Sequence, residues 1–395
     1  MPAKLSVRDL EVRDRTVFCR VDFNVPLDGA RVTDDRRIAA SLPTLELLAG
    51  RGARVVLASH LGRPKGKRSD AMSLRPVAAR LAELTSRVVG FADECVGPQA
   101  ERAVAATPSG GFVLLENLRF HPEEEANEAG FATALAALAQ VYVNDAFGTA
   151  HRAHASTVGV PKILKPAAAG LLMDAELTQL GGLLGRPERP FLAILGGAKV
   201  SDKIELVDNL IPRVDAFLIG GAMAYTFLAA EGVAVGDSRV EADKIELARE
   251  LGAKIRAAGR ELLLPVDHVV AVGGDDARHR VTDGAAIAAG EAGCDIGPRT
   301  VEGFSRAVRG ARTVLWNGPL GRFELDAYAA GTRAVGEALA ASGATSIVGG
   351  GDTASAVAKF GIARSMTHVS TGGGASLEFL SGLNLPGVEA LSDAP

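Results

Sequence analysis

The sequence predicts an α/β protein made of two doubly wound, parallel-sheet (Rossmann-like) domains joined by a hinge helix. Three observations carry this. Continuously apolar short runs recur at 17–21, 55–58, 112–115 and 141–143, and again at 192–195, 217–219, 262–264, 314–316, 347–348 and 367–369, as strands buried on both faces of a parallel sheet do. Helical periodicity fills the gaps, as in the stripe of Ile38, Leu42, Leu45 and Leu48 and the one begun by Ile204, Val207 and Ile211. The chain's 395 residues, 47% of them hydrophobic, exceed what one ordinary core organises, so two domains of similar size are expected. Its 46 glycines and 5% aromatics suit many tight strand-to-helix turns rather than a β-sandwich or a disordered chain.

In chain order, residues 1–169 read as the first domain. Residues 170–185, GLLMDAELTQLGGLLG, put Met173, Leu177, Leu180 and Leu184 on one helical face. The RPERP that follows is a boundary signal, so this segment reads as an interdomain helix. Residues 186–379 read as the second domain. A net charge of −4 indicates no bulk affinity for nucleic acid or anionic membrane, so any anion site must be local. No run approaches 18 uncharged apolar residues, and the N-terminal stretch lacks the apolar core of a secretory signal. Cys19, Cys95 and Cys294 are far apart with no CxxC pair, which suggests neither a zinc site nor a disulfide framework and leads us to expect a reduced, cytoplasmic setting.

The residues just after each run are the informative ones, because open α/β sheets bind ligands outside the carboxyl ends of their strands. In the second half these are Gly-rich. GGGAS at 372–376 opens a helix-like stretch containing Leu377, Leu380 and Leu383, and bare N–H groups at a helix start favour an anion. GGGDTA at 349–354 repeats the design; Asp352 suits either Mg²⁺ or a helix N-cap, and Thr353 suits a phosphate. In GGAKVSDKIELVDNL a helix start is predicted near Ser201 or Asp202, which puts Lys203 in the first turn. The helix dipole disfavours a cation there by roughly 0.3–1 kcal/mol, and Lys199 four residues earlier adds repulsion of about 0.2–0.5 kcal/mol. A bound polyphosphate makes that arrangement favourable; two solvated surface lysines are the plain alternative. In NGPLGRFE, Pro319 is suited to flank a base and Glu324 to accept from a ribose.

The first half is basic. Arg37 falls in the first turn of the helix that starts at Ile38, again a poor place for a cation without an anion nearby. Arg63, Arg119, Arg152, His60 and His151 each follow an apolar run, and Asp22 and Asn24 end the first one, placed to bind hydroxyls. Planar guanidinium groups suit phosphate and carboxylate, although any one of them alone reads equally as a surface arginine. His121, His154, His268, His279 and His368 have no metal-ligand spacing and read as structural or surface residues. The chain lacks GxxxxGK[ST], lacks GxGxxG after its first strand, and lacks GxSxG and HExxH. That excludes a P-loop enzyme and weakens the rival reading of a nicotinamide-dependent oxidoreductase. A nucleotide-binding module without catalysis fits poorly with the intact lysines and full basic set.

Over essentially its whole length the chain resembles phosphoglycerate kinases. The matching stretches are RVDFNVP (20–26), LASHLGRP (57–64), LLENLRFH (114–121), NDAFGTAHRAHAS (144–156), AILGGAKVSDKI (193–204), WNGPLGRFE (316–324), GGGDTA (349–354) and STGGGASLEFL (370–380). The resemblance implies that Asp22, Phe23, Asn24, Arg37, His60, Leu61, Gly62, Arg63, Arg119, His151 and Arg152 grip 3-phosphoglycerate. It implies that Lys199, Lys203, Gly293, Asn317, Pro319, Glu324, Gly350, Gly351, Asp352 and Thr353 serve ATP or ADP with Mg²⁺ on Asp352. It also implies that Gly372 and Gly373 offer amides to the phosphoryl group in flight, beside Arg37 and Lys203. Arg322 departs from the family, which commonly has an apolar residue there. The resemblance further implies a monomer whose tail, 380–395, returns to the first domain. Such a transfer needs positioning and charge stabilisation and no general base, because the attacking oxygen is already ionised. Hinge closure about 170–190 is expected, to exclude water from an acyl phosphate.

Overall fold

The computed structural model describes residues 3–394 and forms two units, Met1–Thr178 with Asn384–Pro395, and Gln179–Leu383. In the first, six parallel strands are β1 (Thr16–Arg20), β2 (Arg54–Ala58), β3 (Val89–Ala92), β4 (Phe112–Leu115), β5 (Val141–Asn144) and β6 (Ala167–Ala169), in the order β3-β4-β2-β1-β5-β6. β1 pairs in register with both β2 and β5, Val17 opposite Val55 and Val141. Its residues Val17, Phe18 and Cys19 are fully buried, as continuous apolar runs require in a sheet covered on both faces. The Arg36–Gly50 helix turns Ile38, Leu45 and Leu48 into the same core, with Leu42 partly buried beside them.

The second unit repeats the plan. Its parallel strands are β7 (Phe191–Leu195), β8 (Ala216–Ile219) and β9 (Glu261–Leu263). An antiparallel sheet follows, made of β10 (His268–Val272), β11 (Asp275–Val281) and β12 (Glu291–Ile296). The parallel sheet is completed by β13 (Thr313–Asn317), β14 (Thr345–Gly349) and β15 (His368–Val369), in the order β9-β8-β7-β13-β14-β15. All ten expected runs fall on strands, with only Val21, Leu264 and Thr367 one residue outside them. Those not foreseen are β3, β6, a short hairpin at Leu27–Asp28 and Arg31–Val32, and the antiparallel sheet, whose outer strand Asp275–Val281 is exposed throughout.

The helix Leu171–Leu184 runs across the boundary between the units, which falls after Thr178. Its start is held by Asp145, whose Oδ1 accepts from Leu172 N (2.9 Å) and Met173 N (3.3 Å), and by Thr44, whose hydroxyl accepts from Leu171 N at 2.8 Å. The chain end packs onto the first unit: Leu5 N donates to Ser392 O, Ser392 N to Ala167 O and Gly387 N to Ala150 O. Among the described residues no helix is long and apolar enough to cross a membrane.

Candidate active site

In the second unit a cavity of about 360 Å³ brings together Lys199, Lys203, Asn317, Pro319, Gly350, Gly351, Asp352, Thr353 and Gly373, with Asp202, Gly318, Gly374 and Leu377 also in its wall. These residues meet because β7, β13 and β14 are neighbours, so the loops after them lie side by side. Two helices begin at the cavity. Gly350 (φ +86°) is the N-cap of Gly351–Lys359 and Gly373 (φ +52°) that of Gly374–Leu380. Both take backbone angles that disfavour a side chain, and neither helix has a side-chain cap. The first-turn N–H groups are thus left for a ligand.

Lys203 differs from its predicted place. A 3-10 turn covers Ser201–Lys203 and the α-helix starts at Ile204, so Lys203 is itself the N-cap and Lys199 lies outside the helix. The expected i,i+4 repulsion therefore does not arise. Lys203 is 9% exposed, and its Nζ donates to Asn317 Oδ1 at 2.7 Å. Burial holds the ammonium below its ordinary range, with Asp202 and Asp352 working the other way. Asn317 Nδ2, on the same side chain, is buried without a hydrogen-bond partner. Asp352 is not an N-cap: it sits exposed in the first turn of its helix, where a carboxylate is favoured.

Several predicted contacts have other occupations. The Thr353 hydroxyl is fully buried and accepts from Gly318 N at 2.7 Å, so it shapes the WNGP loop. Gly372 N already donates to Ser370 Oγ at 3.1 Å, which leaves Gly373 as the amide at the cavity. Leu383 lies beyond its helix and is exposed. Gly293 and Glu324 are not in the cavity wall. Gly293 stands on β12, its N–H given to Ser238 Oγ at 2.8 Å, and Glu324 is exposed, its carbonyl accepting from Lys359 Nζ at 3.1 Å. Arg322 forks onto both oxygens of Asp276 (2.5 and 2.8 Å) and lies 5.7 Å over the Tyr328 ring. It tethers its loop to β11 and so replaces the apolar contact expected there.

In the first unit the loops after β4, β2, β1 and β5 are neighbours in that order and carry the basic set. Arg37 NH1 donates to Asp22 Oδ2 at 2.6 Å, Asn24 Oδ1 accepts from Gly62 N at 2.9 Å, and Arg119 NH1 donates to Gly62 O at 2.8 Å. Arg119 also pairs with Glu125 at 3.1 Å, and Arg152 Nε faces His151 Nε2 at 3.2 Å. Arg63 is exposed. The Phe23 and Leu61 side chains are core residues; their amides go to Ser59 Oγ and Asn117 Oδ1. Two further residues stand beside this set: Arg20, 1% exposed, which sequence reasoning did not single out, and His154, read as structural or surface and found buried with its Nδ1 3.8 Å from Glu124. Burial pushes His154 down to about 3, with Arg20 and Arg119 adding to the effect. A charged residue closing a strand buried on both faces was the signal for Arg20.

A family model described as phosphoglycerate kinase matches residues 7–383. The phosphoglycerate kinase of Moorella thermoacetica is 56% identical over 392 residues, covering 99% of this chain and 100% of that protein. That of Solibacter usitatus is 57% identical over 396 residues, covering 98% and 99%. Among solved structures, phosphoglycerate kinase from Coxiella burnetii superposes with a TM-score of 0.90 at 39% identity, over 98% of each chain. The Pyrococcus horikoshii enzyme does so at 0.87 and 33% identity, over 98% of each. The chain belongs to the phosphoglycerate kinase family.

Proposed function

We propose how this phosphotransferase, with ATP/ADP as its co-substrate, divides its reaction among its residues. Phosphoryl transfer runs reversibly between the nucleotide and the carboxylate of 3-phosphoglycerate. Lys199, Lys203, Asn317 and the Gly350, Gly351 and Gly373 backbone hold the phosphates, and Pro319 flanks the base. Asp22, Asn24, Arg37, His60, Arg63, Arg119, His151 and Arg152 hold the acid. The observation that carries the nucleotide half is one cavity with two uncapped helix starts, a buried lysine and an unpartnered Asn317 amide. Uncapped amides and a desolvated ammonium suit a transition state whose negative charge is spread over phosphoryl oxygens.

The residues fit Mg²⁺. Among the described residues no group of three His, Cys, Asp or Glu is placed to hold a metal, and Asp352 is an exposed carboxylate at the cavity. One carboxylate with nucleotide phosphates is how this ion is commonly held. When bound it neutralises charge on the phosphates. The buried cysteines Cys19, Cys95 and Cys294, all unpaired, support a reducing, cytoplasmic setting. We assign the enzyme as a monomer acting on small molecules, which sedimentation at working concentration tests.

A coupled assay of 3-phosphoglycerate-dependent ATP consumption tests the assignment, with Lys203→Ala and Arg37→Ala alongside and each ligand also titrated alone. Lys203→Ala should weaken turnover and Arg37→Ala both turnover and the acid's binding. A pair of variants with wild-type kinetics refutes the roles. Direct transfer needs the ligands within bonding reach, so binding both should lower the radius of gyration in solution scattering.

A further inference from the structure

Arg20 closes a strand whose inner residues are all buried and apolar, and burying a guanidinium without partners costs several kcal/mol. Its donors go three ways. Nε donates to Ser156 Oγ at 2.8 Å, NH1 donates to the Val21 carbonyl, and NH2 lies 3.2 Å from His60 Nδ1. Ser156 passes the contact on: its hydroxyl donates to Glu124 Oε1 at 2.5 Å and its N–H to Oε2 at 2.9 Å. Glu124 is fully buried; burial raises its pKa while Arg20 and the two Ser156 hydrogen bonds work the other way, and its carboxyl group stands behind Arg20 through one hydroxyl.

A guanidinium has five donors and no acceptor. In its contact with Arg20, His60 Nδ1 is therefore the acceptor, and the ring proton is on Nε2. The nearest carboxylate does not compete, since Asp22 Oδ1 is 3.9 Å from Nδ1, beyond hydrogen-bond reach. The charged and titratable groups facing this ring are Arg20, Arg37, Arg119, His154 and Asp22. Burial first, then those cations, hold His60 well below its ordinary range.

We propose that Arg20, backed by Ser156 and Glu124, is a positioning residue that fixes His60 as a neutral imidazole with its proton on Nε2. His60 then offers 3-phosphoglycerate an oriented donor without adding charge to the arginine cluster. The proposal rests on the reading of His60 as a 3-phosphoglycerate contact. A cation at His60 would be tightened by acid, whereas a neutral donor gives affinity independent of its own titration near neutral pH.

Long-range ¹H–¹⁵N correlation spectra of the full chain read the tautomer directly, with His60→Gln to assign the ring. The expected result is a neutral ring, protonated on Nε2, unchanged between about pH 5.5 and 8.5. Ser156→Ala and Arg20→Lys should give mixed tautomers or a raised midpoint. The KM for 3-phosphoglycerate should then rise about 5-fold, with the KM for ATP unmoved. A wild-type His60 that titrates in the ordinary range, or carries its proton on Nδ1, overturns the proposal without any variant. So does an unaltered tautomer in folded variants. If the tautomer is as expected but His60→Gln leaves the KM for 3-phosphoglycerate unchanged, the site reading fails and takes the proposal with it.

Discussion

Replacing Lys203 by methionine removes one charge and keeps most of the side-chain length, so it separates catalysis from stability. In the folded enzyme the Nζ to Asn317 contact (2.7 Å) is a hydrogen bond from a charged donor, a class that contributes about 1.5–3 kcal/mol. Against it stands the removal of water from the ammonium, which costs several kcal/mol. The depressed pKa shows that desolvation outweighs Asp202 and Asp352. A lysine that binds its proton less tightly folded than unfolded weakens stability at neutral pH, and the penalty fades as pH rises from the folded value to the unfolded one. Lys203→Met should therefore change unfolding free energy by no more than about 1 kcal/mol, or a Tm shift of about 2–4 °C. In the transition state a preorganised donor in a water-poor site contributes about 2.7–4 kcal/mol, so kcat should fall about 10²–10³-fold. The coupled assay and thermal unfolding on one preparation read both quantities. A kcat loss below tenfold, or a stability loss as large as the activity loss, refutes the reasoning.

Burial pushes the Asp145 carboxyl up to about 7 against 3.8 unfolded, so the folded chain holds this proton more tightly and stability falls as pH rises from about 4 to 7. Asp145→Asn keeps an acceptor for the Leu171–Leu184 helix start, so its stability relative to wild type should grow across that range by up to about 4 kcal/mol in urea unfolding. A constant difference refutes it; Asp295, also pushed up to about 7, is common to both proteins and cancels. In Gly331→Ala the new Cβ would stand 2.4 Å from Asp295 Oδ1 and Ile296 Cγ1, so a loss of about 1–3 kcal/mol is expected in the same measurement. Asp352→Asn should abolish most of the Mg²⁺-dependent gain in ADP affinity seen by calorimetry and leave 3-phosphoglycerate binding intact; an unchanged Mg²⁺ effect removes Asp352 from the metal.

The parallel sheets were legible because strands covered on both faces read as unbroken apolar runs, and the candidate site's loops were legible because they follow those strands. The antiparallel sheet was not, because Asp275–Val281 is exposed on every residue and so carries no burial pattern. β6 was missed for a related reason: Ala167–Ala169 is fully buried but consists of three alanines, which suit a helix as well as a strand. Side-chain occupation was the least legible. That Thr353 serves Gly318 N, and Gly372 N serves Ser370, depends on pairings that no spacing in the chain encodes.

In the roles proposed above, the two units meet the same problem, binding anions, with opposite means. Around the acid, three of the arginines come with carboxyl partners already in place: Asp22 for Arg37, Glu125 for Arg119, and Glu124 behind Arg20 through Ser156. A cluster of arginines without those carboxylates would repel itself in the empty enzyme. With its carboxylate, the partly exposed Arg37 is held in one orientation while its remaining donors stay available to a planar carboxylate or phosphate, whereas Arg20, 1% exposed, serves His60. Around the nucleotide Lys199, Asp202, Lys203 and Asp352 share the wall with backbone amides that carry only partial charge, and Lys203 is hydrogen-bonded to an amide oxygen rather than to a carboxylate. That choice matters for turnover. A lysine tied to a carboxylate would have to break an ion pair to meet the phosphoryl group, whereas one resting on Asn317 gives up only a neutral acceptor. A carboxylate at that position, as in Asn317→Asp, should accordingly slow phosphoryl transfer even though it makes the empty enzyme more stable, and a variant that kept wild-type kcat would refute this account of Lys203.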